Sequence, residues 1–210
     1  MSLIVHHLEN SRSQRILWLL EELGLPYDIV RYERDKTTML APPELKKIHP
    51  LGKSPVLQDT AAGQVVIETG AIVDYIVELA DGRMGPPAHR DATLRYRQYL
   101  HYAEGSMMPP LLLLLVMNRI PVVGKTAAKR VQPMIDVHLD YVESELASRP
   151  WFTGDSFTAA DVMMSFPLEA ARSRAGLDES RPATIAWLDR IHARPAYQAA
   201  LAKGGPYAYA

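Results

Sequence analysis

The chain contains no cysteine. Disulfide bridges are therefore excluded, and so is catalysis by a thiol of the protein itself. An excess of charge of one sign is also missing. Lysine and arginine number 23 against 24 acidic residues, a net charge of −1, so nothing in the balance selects nucleic acid or an anionic membrane. No apolar run is long enough to cross a bilayer. The longest, Met107 to Met117, is interrupted by Pro109-Pro110 and falls short of the ~20 residues a spanning helix needs. Met1 to Val5 reads as a strand and lacks the basic flank and long apolar core of a signal peptide, so a cytoplasmic protein is expected. The histidines show no metal-ligand spacing, and no metal is expected. His6 and His7 are adjacent in a strand and point to opposite faces. A phosphate-binding glycine loop, a nucleophile elbow, an internal repeat and low-complexity tracts are all absent.

What is present is an ordinary globular composition. With 210 residues, 48% hydrophobic and 22% charged, the chain can bury one large core or two small ones. Leu3 to His6 reads as a strand. The spacing of Ile16, Leu17, Leu20 and Leu23 predicts a helix from about Ser11 to Leu23, closed by Gly24 and Pro26. Tyr27 to Tyr32 is a second strand, parallel to the first because a helix crosses over between them. A short helix is expected near Pro43 to Ile48. Pro55 to Gln58 and Val65 to Ile67 then form a hairpin around Asp59 to Gly63. A helix from about Thr69 to Ala80 buries Ile72, Val73, Ile76 and Val77. The order βαβαββα over residues 1–81 suits a small mixed sheet, and residues 82–89 form a linker. From 90 to 210 only helical patterns remain: Arg90 to Asn118 with a break or kink at Pro109-Pro110, Gly124 to Leu146, one opening at Phe157, and two shorter ones at Ala183 to Ala193 and Ala196 to Ala202. The tail from Gly204 to Ala210 reads as loose.

Three stretches carry candidate chemistry, and each also has a purely structural reading. Asn10, Ser11 and Ser13 are good helix N-caps. The same helix start, with its unpaired N–H groups and partial positive charge, also stabilises an anion such as a thiolate. Ser54-Pro55, after Lys53, is either an ordinary loop or a turn that offers backbone groups to an extended peptide. Glu68-Thr69 is either a cap or a paired site, the acid for an amine and the helix start with its hydroxyl for a carboxylate. Thr158 to Asp161 is a capping box with a structural role. Met107, Met108, Leu111, Leu112, Leu115 and Met117 either line an apolar pocket or belong to a core.

Taken together, Asn10-Ser11-Arg12-Ser13, His49 to Leu57 and Ile67 to Gly70 resemble the glutathione S-transferase family. The run Asn10 to Arg15 followed by Leu17-Trp18-Leu19-Leu20 is similar to the serine-type bacterial and fungal branch related to yeast glutathione transferase I. The resemblance covers nearly the whole chain. It implies a thioredoxin-like α+β domain followed by an all-α domain, a homodimer, and glutathione as co-substrate beside a small hydrophobic electrophile. By the same resemblance Ser11, with Asn10 as the alternative, activates the thiol. Pro55 is cis, and the Ser54 backbone binds the cysteinyl part. Lys53, or more weakly Arg12 or Lys36, meets the glycine carboxylate, and Glu68 and Thr69 hold the γ-glutamyl end. A tyrosine is absent at the activating position, which argues against the tyrosine classes, and the missing cysteine argues against the omega and beta classes with their mixed-disulfide chemistry. Conjugation is the leading expectation. Glutathione-dependent isomerisation, peroxide reduction and a non-catalytic binding scaffold stand as alternatives.

Overall fold

The structure is a computed structural model that describes residues 2–210. It divides into two compact units. One comprises the stretch through Gly85 together with 193–208 and 210, and the other comprises 86–192 and 209.

The first unit is built on a four-stranded sheet. Strand β1 (Leu3–Leu8) is followed by helix α1 (Gln14–Leu23), β2 (Tyr27–Tyr32), a 3₁₀ turn at Pro43–Lys47, β3 (Val56–Asp59), β4 (Gln64–Ile67) and α2 (Thr69–Leu79). The strand order is β2-β1-β3-β4. Strands β1 and β2 are parallel, as the crossover helix requires, and β3 and β4 run antiparallel to their neighbours. This is the expected thioredoxin-like arrangement. Asp59 shapes the hairpin turn, since its Oδ1 accepts from the N–H groups of Ala61 and Ala62 at 3.0 and 3.1 Å.

Helix α1 differs from a simple amphipathic stripe. Besides Ile16, Leu17, Leu20 and Leu23 it buries Gln14, Arg15, Trp18 and Leu19, so it needs cover on a second side. The terminal helix α8 (Pro195–Gly204) provides that cover, and it therefore belongs to the first unit and not to a helical domain running from 90 to 210. Tyr197 packs edge-on against Trp18 at 5.1 Å, and the Arg194 guanidinium forks onto the Glu22 carboxylate at 2.5 and 2.8 Å. Lys203 pairs with Glu21 at 2.5 Å. The tail is not loose, because the Ala208 N–H donates to Asn10 Oδ1 at 2.7 Å.

The second unit contains α3 (Arg90–Tyr102), α4 (Met108–Met117), α5 (Gly124–Ser148), α6 (Ala159–Arg174) and α7 (Pro182–His192). A π-helical segment, Ala103–Met107, joins α3 to α4 without a break. A proline at 109 has no N–H to give and its ring crowds the carbonyl four residues back. Widening the preceding turn absorbs both effects, so the expected kink becomes a π segment. The helical stretch thus runs through 28 residues, long enough by length to cross a bilayer, which the apolar run alone was not. Tyr96, Tyr99, Leu100, Ala103, Met107, Met108, Leu111 and Leu114 along it are buried. Asp161 in α6 is fully buried and accepts from the N–H groups of Phe152 and Thr158, each at 3.0 Å, which fixes the chain entering that helix.

Candidate functional site

Sheet register brings the three candidate stretches together. In β3, Val56 pairs with His6 of β1 and with Ile67 of β4. Both ladders end there, so Ser54-Pro55 just before β3, Glu68-Thr69 just after β4 and the chain leaving β1 after Leu8 all lie at the same end of the sheet. The Ser54–Pro55 bond is cis. The Ser54 hydroxyl donates to the His6 carbonyl at 2.8 Å and accepts from the Leu8 N–H at 3.2 Å, which pins the turn to β1. Pro55 is buried and Lys53 is exposed.

Helix α2 begins beside this turn. Its first backbone bond runs from the Ile72 N–H to the Glu68 carbonyl at 2.9 Å. The N–H groups of Thr69, Gly70 and Ala71 therefore have no partner within the helix, the arrangement that binds an anion. Thr69 is buried at the first helical position, and Glu68 is exposed at the cap. Glu68 has φ 66° and ψ 122°, a conformation L-residues rarely adopt. Such strain persists only where surrounding structure imposes it, and it clusters at functional positions.

The third stretch starts α1. The helix proper begins at Gln14, three residues later than the periodicity predicts, because the hydroxyls of Ser11 and Ser13 bond to backbone and to each other. Ser13 Oγ lies 2.9 Å from His7 Nδ1, 2.7 Å from Ser11 Oγ and 3.2 Å from both the Leu8 N–H and the Leu8 carbonyl. Ser11 is 5% exposed and also accepts from the Ser13 N–H at 3.2 Å. Asn10 has φ 48° and is half-buried. The guanidinium of Arg34 donates to its carbonyl at 3.2 Å and the Ala208 N–H to its Oδ1 at 2.7 Å. Arg12 is half-exposed on the same turn, and Lys36 is exposed in the segment after β2. Burial, reinforced by the positive charge of Arg31, pushes the His7 imidazole down to about 4.

Ser11, Asn10, Ser54, Pro55, Glu68 and Thr69 thus gather at one end of one sheet, with Lys53 adjoining. Of the apolar set in the helical unit, Met107, Met108 and Leu111 are core residues, Leu112 is exposed, and Leu115 and Met117 are half-buried. Among the described residues no group of three or more acidic or histidine side chains has the geometry of a metal site. Sequence reasoning missed His7 and the bond that ties it to Ser13, which was named only among the helix caps, and it missed Arg34 and Ala208. For the first two a signal existed, since a histidine in a buried strand six residues before a serine at a helix start invites a hydrogen bond. For Arg34 and Ala208 there was none.

A thioredoxin-like sheet that gathers a proline turn, an open helix start with an acid beside it, and a second helix start at one end defines a class of protein. Known sequences and structures agree with that class. A family model described as the glutathione S-transferase N-terminal domain matches residues 1–78, and one described as the C-terminal domain matches residues 104–195. The chain is 35% identical over 220 residues to glutathione S-transferase 1 of Saccharomyces cerevisiae, covering 95% of this chain and 94% of that one. It is 36% identical over 216 residues to glutathione S-transferase 3 of Schizosaccharomyces pombe, covering 96% and 87%. A glutathione S-transferase crystal structure from Actinobacillus pleuropneumoniae superposes with a TM-score of 0.88 at 34% identity, covering 99% and 95%. The chain belongs to the glutathione S-transferase family.

Proposed function

We propose that the protein is a cytoplasmic glutathione transferase, acting in detoxification, that binds reduced glutathione, holds its sulfur as the thiolate and adds it to a small hydrophobic electrophile. The observation that carries this reading is the shared end of the sheet, where β1 stops, β3 begins and β4 stops, so that the turn before α1, the Ser54-Pro55 turn and the open start of α2 lie together. The γ-glutamyl carboxylate takes the N–H groups of Thr69, Gly70 and Ala71 with the Thr69 hydroxyl, and the amine takes Glu68. The cysteinyl part pairs with the Ser54 backbone as an added strand would. Lys53 meets the glycine carboxylate, with Arg12 and Lys36 nearby alternatives. The sulfur lies at the start of α1 beside Asn10 and Ser11. A free thiol titrates near ~8.5, and a helix start with a hydrogen-bond donor lowers that by about one unit or more.

The chemistry is then one displacement or addition. The thiolate pair forms a carbon–sulfur bond. The displaced pair leaves with a halide; in an enal, attacked at its β-carbon, it moves to the α-carbon and carbonyl oxygen, and in an epoxide to the ring oxygen, and there it collects a proton from water. Catalysis combines thiol ionisation with proximity. A homodimer belongs to the same reading. Leu112, Leu113 and Val116 of α4, exposed at 49%, 39% and 47%, offer apolar surface for it.

Ultraviolet difference spectroscopy of the protein with reduced glutathione across pH tests the mechanism. A thiolate band near neutral pH, with turnover of an activated aryl halide, is the expected result. Binding without a band, or no binding, would refute it. Sedimentation equilibrium tests the dimer.

A further inference from the structure

The hydroxyls at the start of α1 are not free to point wherever a ligand needs them, because the buried side of the site fixes their protons. His7 is 3% exposed on β1. Its ring hydrogen-bonds the backbone of Gly204. The Gly204 N–H is committed within α8, so the carbonyl is what it offers, and the ring nitrogen on that side must donate. A Cβ on Gly204 would stand 3.5 Å from His7 Nε2 and 2.6 Å from Gln14 Oε1, which shows how closely this backbone approaches the ring. The imidazole is neutral, so with its proton on Nε2 the other nitrogen, Nδ1, is a bare acceptor. The donor within reach of Nδ1 is the Ser13 hydroxyl at 2.9 Å.

Ser13 has one hydroxyl proton. Its acceptors are His7 Nδ1 at 2.9 Å and the Leu8 carbonyl at 3.2 Å, and the shorter contact takes it; with the proton given to either, the 2.7 Å contact between Ser13 Oγ and Ser11 Oγ can be made only by Ser11 donating inward. The chain of donors runs Ser11 to Ser13 to His7 to the Gly204 carbonyl. The Ser11 oxygen also accepts from the Ser13 N–H. Ser11 therefore presents an oxygen, not a proton, to anything outside.

Asn10 is the opposite case. Its carbonyl is held by Arg34 and its Oδ1 by the Ala208 N–H. An amide whose oxygen is held has its NH₂ directed to the other side, and among the described residues that NH₂ has no hydrogen-bond partner. A thiolate is an acceptor only, so it needs a donor.

We infer that Asn10 Nδ2 is the side-chain donor to the glutathione sulfur, that Ser11 is a positioning residue turned inward on the Ser13–His7 chain, and that the Ala208 N–H orients the Asn10 amide. This rests on the glutathione reading of the site. It moves the activating role away from Ser11.

The test measures the thiol pKa of bound glutathione by ultraviolet titration in the wild type, Asn10→Gly, Ser11→Ala and Ala208→Pro. Affinity for S-methylglutathione, which has no ionisable thiol, is measured beside it. Glycine keeps the φ 48° backbone unstrained, and proline at 208 removes the N–H without touching α1. Asn10→Gly is expected to raise the thiol pKa by about one unit, a roughly tenfold loss of thiolate below the pKa, with S-methylglutathione affinity held within about twofold. Ala208→Pro shifts it in the same direction by less. The Ser11→Ala shift is severalfold smaller than that of Asn10→Gly. A larger shift in Ser11→Ala than in Asn10→Gly overturns the assignment while leaving glutathione transfer intact. A wild type that binds neither glutathione nor S-methylglutathione refutes the functional reading itself, a separate outcome.

Discussion

Glu68 carries two costs and duties that a pair of substitutions separates. Its backbone sits at φ 66° and ψ 122°, where a Cβ is crowded and glycine is not. Holding a non-glycine residue in such a region costs about 1–3 kcal/mol. Its carboxylate, exposed at the head of α2, is placed for the ligand's amine. Glu68→Ala removes the carboxylate and keeps the strain, whereas Glu68→Gly removes both. Glycine also makes the unfolded chain more flexible, which takes back about 0.4–1 kcal/mol. The net expectation is that the glycine variant is more stable than the alanine variant by about 1 kcal/mol, or ~2–4 °C in a chain of this size. Both variants lose affinity for glutathione alike. A partly exposed charge-assisted hydrogen bond is worth about 1.5 kcal/mol, so Kd rises roughly tenfold. Urea unfolding gives the first quantity and titration calorimetry the second. An alanine variant as stable as the glycine one would refute the strain argument. An affinity loss in glycine but not in alanine would show that the backbone, not the carboxylate, serves the ligand.

Other residues give equally direct expectations. His7 titrates near 4 in the folded state against an ordinary 6.5, so below 6.5 the unfolded chain binds the extra proton. The contribution of His7 is complete above that value and falls as pH drops toward 4, by roughly 3 kcal/mol in all, and His7→Gln should flatten this part of the urea-midpoint profile between pH 4 and 7. Asp161→Ala leaves the N–H groups of Phe152 and Thr158 buried without partners and should cost about 2–4 kcal/mol, read as a lower urea midpoint at unchanged slope. Gly124→Ala places a Cβ 2.0 Å from the Met117 carbonyl oxygen, which is backbone and cannot swing away. A loss of about 2 kcal/mol or more is expected by the same assay, and a neutral result would mean that the turn between α4 and α5 relaxes freely.

The sheet was legible because its elements carry local signals. Tyr27 to Tyr32 matches β2 residue for residue, and the stripe Ile72, Val73, Ile76 and Val77 of α2 is buried as its spacing requires. The partner of α8 was not legible. A short terminal helix with mixed polarity reads as the end of a helical bundle, and only the all-round burial of α1 around Trp18 shows why it turns back to the first unit. The π segment was half legible. Two adjacent prolines signal a disturbance, but whether a helix breaks or widens there is not a local property; here Met107 and Met108, at the junction just before the prolines, are both buried and the helix continues through a π segment.

The same limit governs the site. Residue types and spacing mark Asn10, Ser11, Ser54, Glu68 and Thr69 as helix starts and a proline turn, which are local features, and the resemblance to the glutathione S-transferase family is what joins them into a site. The direction of a hydroxyl proton is not local. It is set at Ser11 by a histidine on a neighbouring strand and by a carbonyl nearly two hundred residues along the chain. The orientation of the Asn10 amide is likewise set by a backbone N–H at position 208. Sequence spacing can say that a donor stands at the start of α1. Which donor faces outward depends on how the rest of the hydrogen bonds are shared, and the C-terminal segment, through Gly204 and Ala208, takes part in that choice for both residues.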